Sequence, residues 1–272
     1  MVIFPKAKIN LGLLISGRRC DGYHDIETVF YPLPLSDALE MVPKVKGIKK
    51  DILTLTGMRL QGKKGENLVL RAVKKLRETF PVPYLKIHLH KAIPSGAGLG
   101  GGSSDAGFVL SAINRLFGFA CSRDELMRMA GELGSDCPFF IECKPSLATG
   151  RGELIKPVEN VLDGYTVLLI NPGINISTKE AYENCKPGNP GISPGKVITM
   201  PVPEWKELLV NDFERTVFRK HPVIASFKDK LYQAGAVYSS MSGSGSSVYG
   251  IFTGEPVVPD EMKKFVIYQG SF

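Results

Sequence analysis

Residues 94–106 read PSGAGLGGGSSDA, with glycine at 96, 98, 100, 101 and 102. Glycine loses more conformational freedom on folding than any other residue, so a run this dense has a use. Beyond it, Leu110, Ile113 and Phe117 recur at helical spacing, and Ser103 or Ser104 is placed to cap the helix start. A glycine loop feeding a helix N-terminus offers bare N–H groups and the positive end of the helix dipole to an anion. The anion that fits is a chain of phosphates. A plain linker does not suit a place between the alternating strand LKIHLH (85–90) and an apolar helix. The loop is not a Walker A sequence, because no lysine follows before Lys144. Gly96, Gly98 and Gly101 satisfy G-x-G-x-x-G, but no acidic residue stands at a strand end about twenty residues on, as a dinucleotide-binding turn requires.

The chain has 272 residues, 43% hydrophobic, with a formal net charge of +7. That length suits one large domain or two modest ones, and the apolar content supports a core without disulfides or metals. The basic balance suits phosphate-rich ligands. The basic residues are scattered, with only PKVKGIKK (43–50) dense, so nucleic acid is not an expected partner. The five cysteines show no C-x-x-C pair and no zinc spacing, which points to reduced thiols and a cytoplasmic protein. Lys6 and Lys8 interrupt the apolar run VIFPKAKINLGLLI, which therefore reads as neither signal peptide nor membrane span. Monomer and homodimer both remain open.

Strands are expected at 2–17, 25–42, 52–57, 85–90 and 165–173, and helices at 67–80, 122–134, 177–184, 202–218 and 223–235. Ser122 and Glu125 form a capping box and Gly134 is a helix stop. Residues 236–252, AVYSSMSGSGSSVYGIF, read as a hairpin around a second Gly/Ser turn, and 185–196 as a loop. The domain boundary is expected near 150–160, dividing the chain into 1–153 and 154–272. His88 and His90 share a strand face without a third metal ligand and read as structural. His221, before Pro222, reads as a helix cap.

Three segments carry candidate chemistry: the glycine loop, Lys8 with Asn10 on one strand face, and Asp136 inside LGSDCPFF (133–140). Taken singly, Lys8 suits a solvated sheet face and Asp136 a turn cap. Together they supply what phosphoryl transfer needs: a phosphate cradle, a cation and a carboxylate to take the acceptor's proton.

PSGAGLGGGSSDA resembles the P-x-G-x-G-L-G-[GS]-S-[SA] signature of the GHMP kinases, and MSGSGSSVYGIF (241–252) resembles that family's third motif. AKINLGL with GRRCDGYHDIETVF, and LGSDCPFF, resemble blocks of those members that phosphorylate 4-diphosphocytidyl-2-C-methyl-D-erythritol, an intermediate of non-mevalonate isoprenoid biosynthesis. Lys6 departs from the family, which usually has proline there. The resemblance implies an α+β, two-domain GHMP kinase fold. Its N-terminal domain would be like ribosomal protein S5 domain 2, its C-terminal domain ferredoxin-like, with ATP and substrate in the cleft between. It implies Lys8 and Asp136 as the catalytic pair, with Asp136 taking the proton and Lys8 keeping it ionised and stabilising the alkoxide. It implies Asn10, Tyr23, His24, Thr178 and Tyr182 as substrate-binding: His24 reads the cytosine edge, and Tyr23 and Tyr182 offer aromatic faces. Asn67 and Lys91 would flank the adenine. Pro94, Ser95, Gly96, Ala97, Gly98, Leu99, Gly100, Gly101, Gly102, Ser103 and Ser104 would hold the phosphates. The cofactors implied are ATP and Mg2+; no protein ligand for the metal is obvious, and Ser104 and Asp105 are candidates only. The chemistry supports the base pocket independently, since a neutral imidazole can bond a cytosine edge and aromatic rings stack on any base.

Two other readings compete. A mevalonate- or homoserine-type kinase would need a small-acid pocket, against which the D-G-Y-H segment argues. A non-catalytic phosphate- or RNA-binding module would show steep salt dependence and no ATP turnover.

Overall fold

The computed structural model describes residues 1–43, 47, 49–59, 67–183, 185 and 191–272. In chain order it builds β1 (Val2–Ile3), β2 (Lys6–Arg18), β3 (His24–Ser36), β4 (Ala38–Pro43), β5 (Ile52–Gly57), α1 (Leu68–Arg77), β6 (Leu85–Lys91), α2 (Gly101–Phe117), α3 (Arg123–Leu133) and α4 (Phe139–Glu142). There follow β7 (Ser146–Thr149), β8 (Leu154–Pro157), β9 (Thr166–Ile170), α5 (Thr178–Glu183), α6 (Pro194–Val197), a 3-10 turn at Val202–Glu207, α7 (Glu214–Lys220), α8 (Pro222–Gln233), β10 (Tyr238–Met241), β11 (Val248–Phe252), α9 (Asp260–Lys263) and β12 (Val266–Ser271).

The chain forms two compact units that interleave in sequence. One comprises Met1–Ala7, Leu35–Ser95 and Gly100–Lys144, the other Lys8–Pro34, Gly96–Leu99 and Pro145–Phe272. Packing therefore does not divide the chain by one cut at 153/154.

The first unit has a sheet in the order β1-β4-β6-β5, with β4 antiparallel and β5 parallel to β6. β6 alternates strictly, burying Leu85, Ile87, Leu89 and Lys91. On its other face Thr56 Oγ1 lies 2.9 Å from His88 Nε2 and 3.0 Å from His90 Nδ1, a structural role as expected. Val69, Val73 and Leu76 of α1 and Val109, Leu110 and Ile113 of α2 fill the core over Leu39, Met41, Ile87 and Leu89. At about 25 cal/mol per Å² this apolar burial is what holds the layers together. α3 carries the expected capping box, and Gly134 ends it in extended backbone (φ 176°) rather than a left-handed turn.

The second unit has two sheets, β2-β3-β7-β8 and β10-β11-β9-β12. β9, TVLLI, is buried at every residue because it has β11 and β12 on its two edges. β10 and β11 form the expected antiparallel hairpin, and α8 packs across both.

Several expectations change. The 2–17 strand is broken at Phe4–Pro5, and the 25–42 strand at Asp37, whose N–H donates to Pro5 O while its side chain turns to the amides of Ala92 and Ile93. The helix expected at 202–218 is a 3-10 turn and α7 joined by a turning link with a single β-bridge, Asn211 to Leu13. Buried Asn211 sits in that link, its Nδ2 donating to Met241 O (2.8 Å) and Gly243 O (2.9 Å). This satisfies backbone groups that a continuous helix would leave unpaired. His221 is the N-cap residue of α8, its carbonyl accepting from Ile224 N–H (2.9 Å), but its side chain makes no cap bond. Its Nε2 is buried without a hydrogen-bond partner among the described residues, 3.9 Å from Glu180 Oε1, and Pro222 takes the first position of the helix. Of the 185–196 loop, 186–190 lie outside the described residues, and α6 closes its end.

Candidate active site

The glycine loop is built by its backbone. Gly96, Gly98 and Gly100 have φ of 65°, 78° and 69°, conformations open to glycine at little cost. α2 begins at Gly101, two to three residues before the expected cap, and Gly100 precedes it with no side-chain cap bond. Ser104 does not cap the helix. It is fully buried, and its Oγ donates to Lys6 O (2.6 Å). The leading N–H groups of α2 thus face outward from a helix end without a side-chain acceptor, as an anion site requires.

Within the second unit, residues 96–99 are held from two sides. Lys8 N–H donates to Leu99 O (3.0 Å), Ser247 N–H to Ala97 O (3.3 Å) and Ser242 Oγ to Gly98 O (2.8 Å). A Cβ on Gly98 would stand 1.9 Å from Ser242 O, so the two glycine turns approach as closely as backbone allows. Ser242 Oγ also accepts from Asn10 N–H (3.2 Å). Within this unit Lys8, Asn10, residues 97–99 and the C-terminal glycine turn are therefore joined by hydrogen bonds.

Lys8 and Asn10 lie on that strand, 3% and 2% exposed, which excludes the solvated-face reading of Lys8. Lys8 Nζ donates to Asn10 Oδ1 (2.5 Å) and stands 4.8 Å from the Phe30 ring centroid. Asn10 Nδ2 donates to Thr28 Oγ1 (2.9 Å), which donates on to Gly12 O (2.5 Å). The amide is thereby oriented with its oxygen toward the ammonium. Sequence reasoning missed Thr28. Its signal is a hydroxyl on the inward face of the strand, in alternation with Ile26 and Phe30, and it is fully buried.

The D-G-Y-H segment is the β2–β3 turn. Arg19 N–H donates to Tyr23 O (2.8 Å), Gly22 has φ 85°, and Asp21 Oδ1 accepts from Tyr23 N–H (3.1 Å). That amide bond, followed by Arg19, holds the Asp21 carboxyl below its ordinary range. The turn presents Tyr23, 53% exposed, with the Arg151 guanidinium 4.9 Å from its ring centroid. His24 stacks on Tyr182 (4.5 Å between centroids, 11° between planes), and Tyr182 meets Phe213 edge-on (4.8 Å, 85°). Desolvation, then the nearby Arg18 charge, lowers the His24 pKa, so the ring is the neutral donor–acceptor at pH 7. Thr178 opens α5 one turn before Tyr182 and is exposed. Sequence reasoning missed Arg151 as well, because its partner Tyr23 is far away along the chain.

In the first unit, Asp136 follows α3 and is partly buried. The adjacent Cys137 thiol is pushed up to about 12 by burial, so it is not a nucleophile. Asn67 uses its Oδ1 to cap α1 at Val69 N–H (2.9 Å). Lys91 is 2% exposed and ion-paired with Asp37 and Asp105.

Two family models match the chain, GHMP kinases N terminal domain over residues 67–143 and GHMP kinases C terminal over 202–265. A 4-diphosphocytidyl-2-C-methyl-D-erythritol kinase of Bacteroides thetaiotaomicron is 50% identical over 260 residues, covering 96% of this chain and 95% of that one. The chain belongs to the GHMP kinases, in the 4-diphosphocytidyl-2-C-methyl-D-erythritol kinase family. A crystal structure of a 4-(cytidine 5'-diphospho)-2C-methyl-D-erythritol kinase superposes with TM-score 0.75 at 32% identity over 92% of this chain and 90% of that one. A homoserine kinase from Cytophaga hutchinsonii superposes with TM-score 0.65 at 20% identity, over 92% and 85%, a likeness of fold. The GHMP kinase fold is thus the one the resemblance implied. Among the described residues no helix is long and apolar enough to cross a membrane.

Proposed function

We propose that the protein transfers the γ-phosphoryl group of ATP to the 2-hydroxyl of 4-diphosphocytidyl-2-C-methyl-D-erythritol, giving the 2-phosphate and ADP. The observation that carries this is the 50% identity to a kinase of that name along nearly the whole chain. The geometry supports it part by part. Residues 94–104 cradle the phosphates with backbone N–H groups at the start of α2. Asp136 takes the proton of the acceptor hydroxyl, and Lys8 offsets the charge that develops on that oxygen. Asn10 holds the Lys8 ammonium in place and meets the substrate. The assignment of Lys8 and Asp136 to one hydroxyl rests on the match of each block to the family. Tyr23 offers the ring face opposite Arg151 to the cytosine, and neutral His24, backed by Tyr182, bonds its edge. Thr178 lies beside Tyr182 on the substrate side. Asn67 stays at the adenine side through its backbone and amide nitrogen, its Oδ1 being the α1 cap.

ATP is the phosphoryl donor, supplied with Mg2+. Ser104 and Asp105 do not fit as metal ligands: the Ser104 hydroxyl is buried on Lys6 O, and Asp105 on Lys91. Bound with the ATP phosphates, Mg2+ would offset part of their charge, and the chain's own groups position the reactants and compensate the charge on the acceptor oxygen. The protein is expected to act in the cytoplasm as a monomer or homodimer, without nucleic acid or membrane partners. ADP release with purified protein, ATP and the cytidine compound tests the reading, and turnover of mevalonate or homoserine instead would contradict it.

A further inference from the structure

Strand β6 ends at Lys91, and the phosphate loop begins three residues later. At this junction three ionisable side chains are buried together: Lys91 at 2% exposure, Asp37 at 0% and Asp105 at 3%. Lys91 Nζ donates to Asp37 Oδ2 and to Asp105 Oδ2 (2.8 Å). Asp37 Oδ1 accepts from the N–H groups of Ala92 (2.6 Å) and Ile93 (2.9 Å), the residues leading into the loop. Asp105 sits one turn into α2. Gly101, the first residue of that helix, is packed so closely on the same junction that an added Cβ would stand 2.9 Å from Ile93 Cγ2 and 3.3 Å from Lys91 Nζ. Asp105 Oδ1 is buried with no hydrogen-bond partner among the described residues. Burying three ionisable groups is costly unless they are paired, and α2 has no side-chain cap to hold its start.

We propose that Lys91, Asp37 and Asp105 are positioning residues that set the phosphate-binding end of α2, with Lys91 acting through this ion cluster and not as a contact to the adenine. The inference rests on reading residues 94–104 as the phosphate cradle. Asp37 ties the chain entering the loop, Asp105 ties the helix leaving it, and Lys91 joins the two. Turning the ammonium toward a nucleotide base would leave the buried Asp37 and Asp105 side chains without the cation they share. The N–H groups that meet the phosphates lie within one turn of Asp105. Hydrogen bonds weaken steeply with misalignment, so a small shift of this helix end lowers phosphate affinity whatever base is attached.

The test is calorimetric titration of the full-length protein with ATP and, separately, with inorganic tripolyphosphate, which has no base. Melting temperatures in the same buffer show that each variant is folded at the titration temperature. Asp105→Ala should weaken both ligands by the same factor, about tenfold, equivalent to the loss of roughly one hydrogen bond. Asp105→Asn still accepts from Lys91 Nζ and should restore both to near wild type, a rescue that a general loss of stability would not track. For Lys91→Met, or the Lys91→Met/Asp105→Leu double variant should the single one not fold, the ratio of ATP to tripolyphosphate affinity should stay unchanged. A loss confined to ATP would place the ammonium on the adenine and overturn the inference, as would unaltered binding of both ligands by Asp105→Ala. If the wild-type protein binds neither ligand, the phosphate reading of the loop falls first and this inference with it.

Discussion

At the scale of the residue, Asp136 has the most to lose. An amide there keeps the shape but cannot take a proton, so Asp136→Asn should lower kcat by about 10²–10⁴-fold while ATP binding, measured by titration, holds. Near-wild-type turnover would remove Asp136 from its assigned role. His24 separates the two substrates. His24→Ala removes the neutral ring stacked on Tyr182 and should raise KM for the cytidine compound while leaving that for ATP. A rise for ATP alone would relocate the pocket. Asp105 carries a pH signature. Its carboxyl is raised from 3.8 to about 7, chiefly by desolvation, with Lys91 opposing and Asp37 reinforcing the shift. Between those two values the native state keeps a proton that the unfolded chain has released. The stability from this group is therefore complete below about 3.8 and is lost as pH rises through about 7. Asp105→Asn should flatten that part of the melting temperature against pH profile, and an unchanged slope would contradict the assignment.

At the scale of the element, the tightest constraint is where the two glycine turns touch. Gly98→Ala puts a Cβ 1.9 Å from Ser242 O at a φ of +78°. The left-handed backbone alone costs about 1–2 kcal/mol. The variant should lose ATP affinity by at least about tenfold, since the loop must move away from its partners; unchanged affinity would mean the loop does not act in this conformation. Asn211 tests the link before α7. Asn211→Ala takes its partner from Gly243 O and Phe213 N–H and one of two from Met241 O, at about 1–3 kcal/mol for each buried group left unpaired, so its melting temperature should drop clearly. These elements also show what is readable in a sequence. Alternation makes β6 plain, and the Ser122–Glu125 box makes α3 plain, because both signals are local. The helix read at 202–218 follows apolar spacing that is really set by contacts with residues 13 and 241–243. Local periodicity carries no record of those. The Ser103/Ser104 cap fails for a similar reason: Ser104 is tied to Lys6, 98 positions away.

At the scale of the whole molecule, the motifs alone make the family legible, since the glycine turns and the D-G-Y-H turn are short, ordered backbone devices. What a sequence hides is the company each side chain keeps. Lys91 reads as a nucleotide contact by its place in the motif order, whereas in the fold Asp37 and Asp105 hold its ammonium from either side. An aspartate on the apolar face of α2, four residues before Val109, is nonetheless a signal of a buried partner. The net charge of +7 suits the anionic substrates proposed here, and predicts that KM for the cytidine compound rises with ionic strength while kcat changes little. The most direct test of the central claim is ADP release with Mg-ATP and 4-diphosphocytidyl-2-C-methyl-D-erythritol, beside mevalonate and homoserine under the same conditions. Turnover of the cytidine compound alone is the predicted result. Turnover of mevalonate or homoserine without it would leave the glycine loop as an ATP cradle and contradict the assignments of Tyr23, His24, Thr178 and Tyr182.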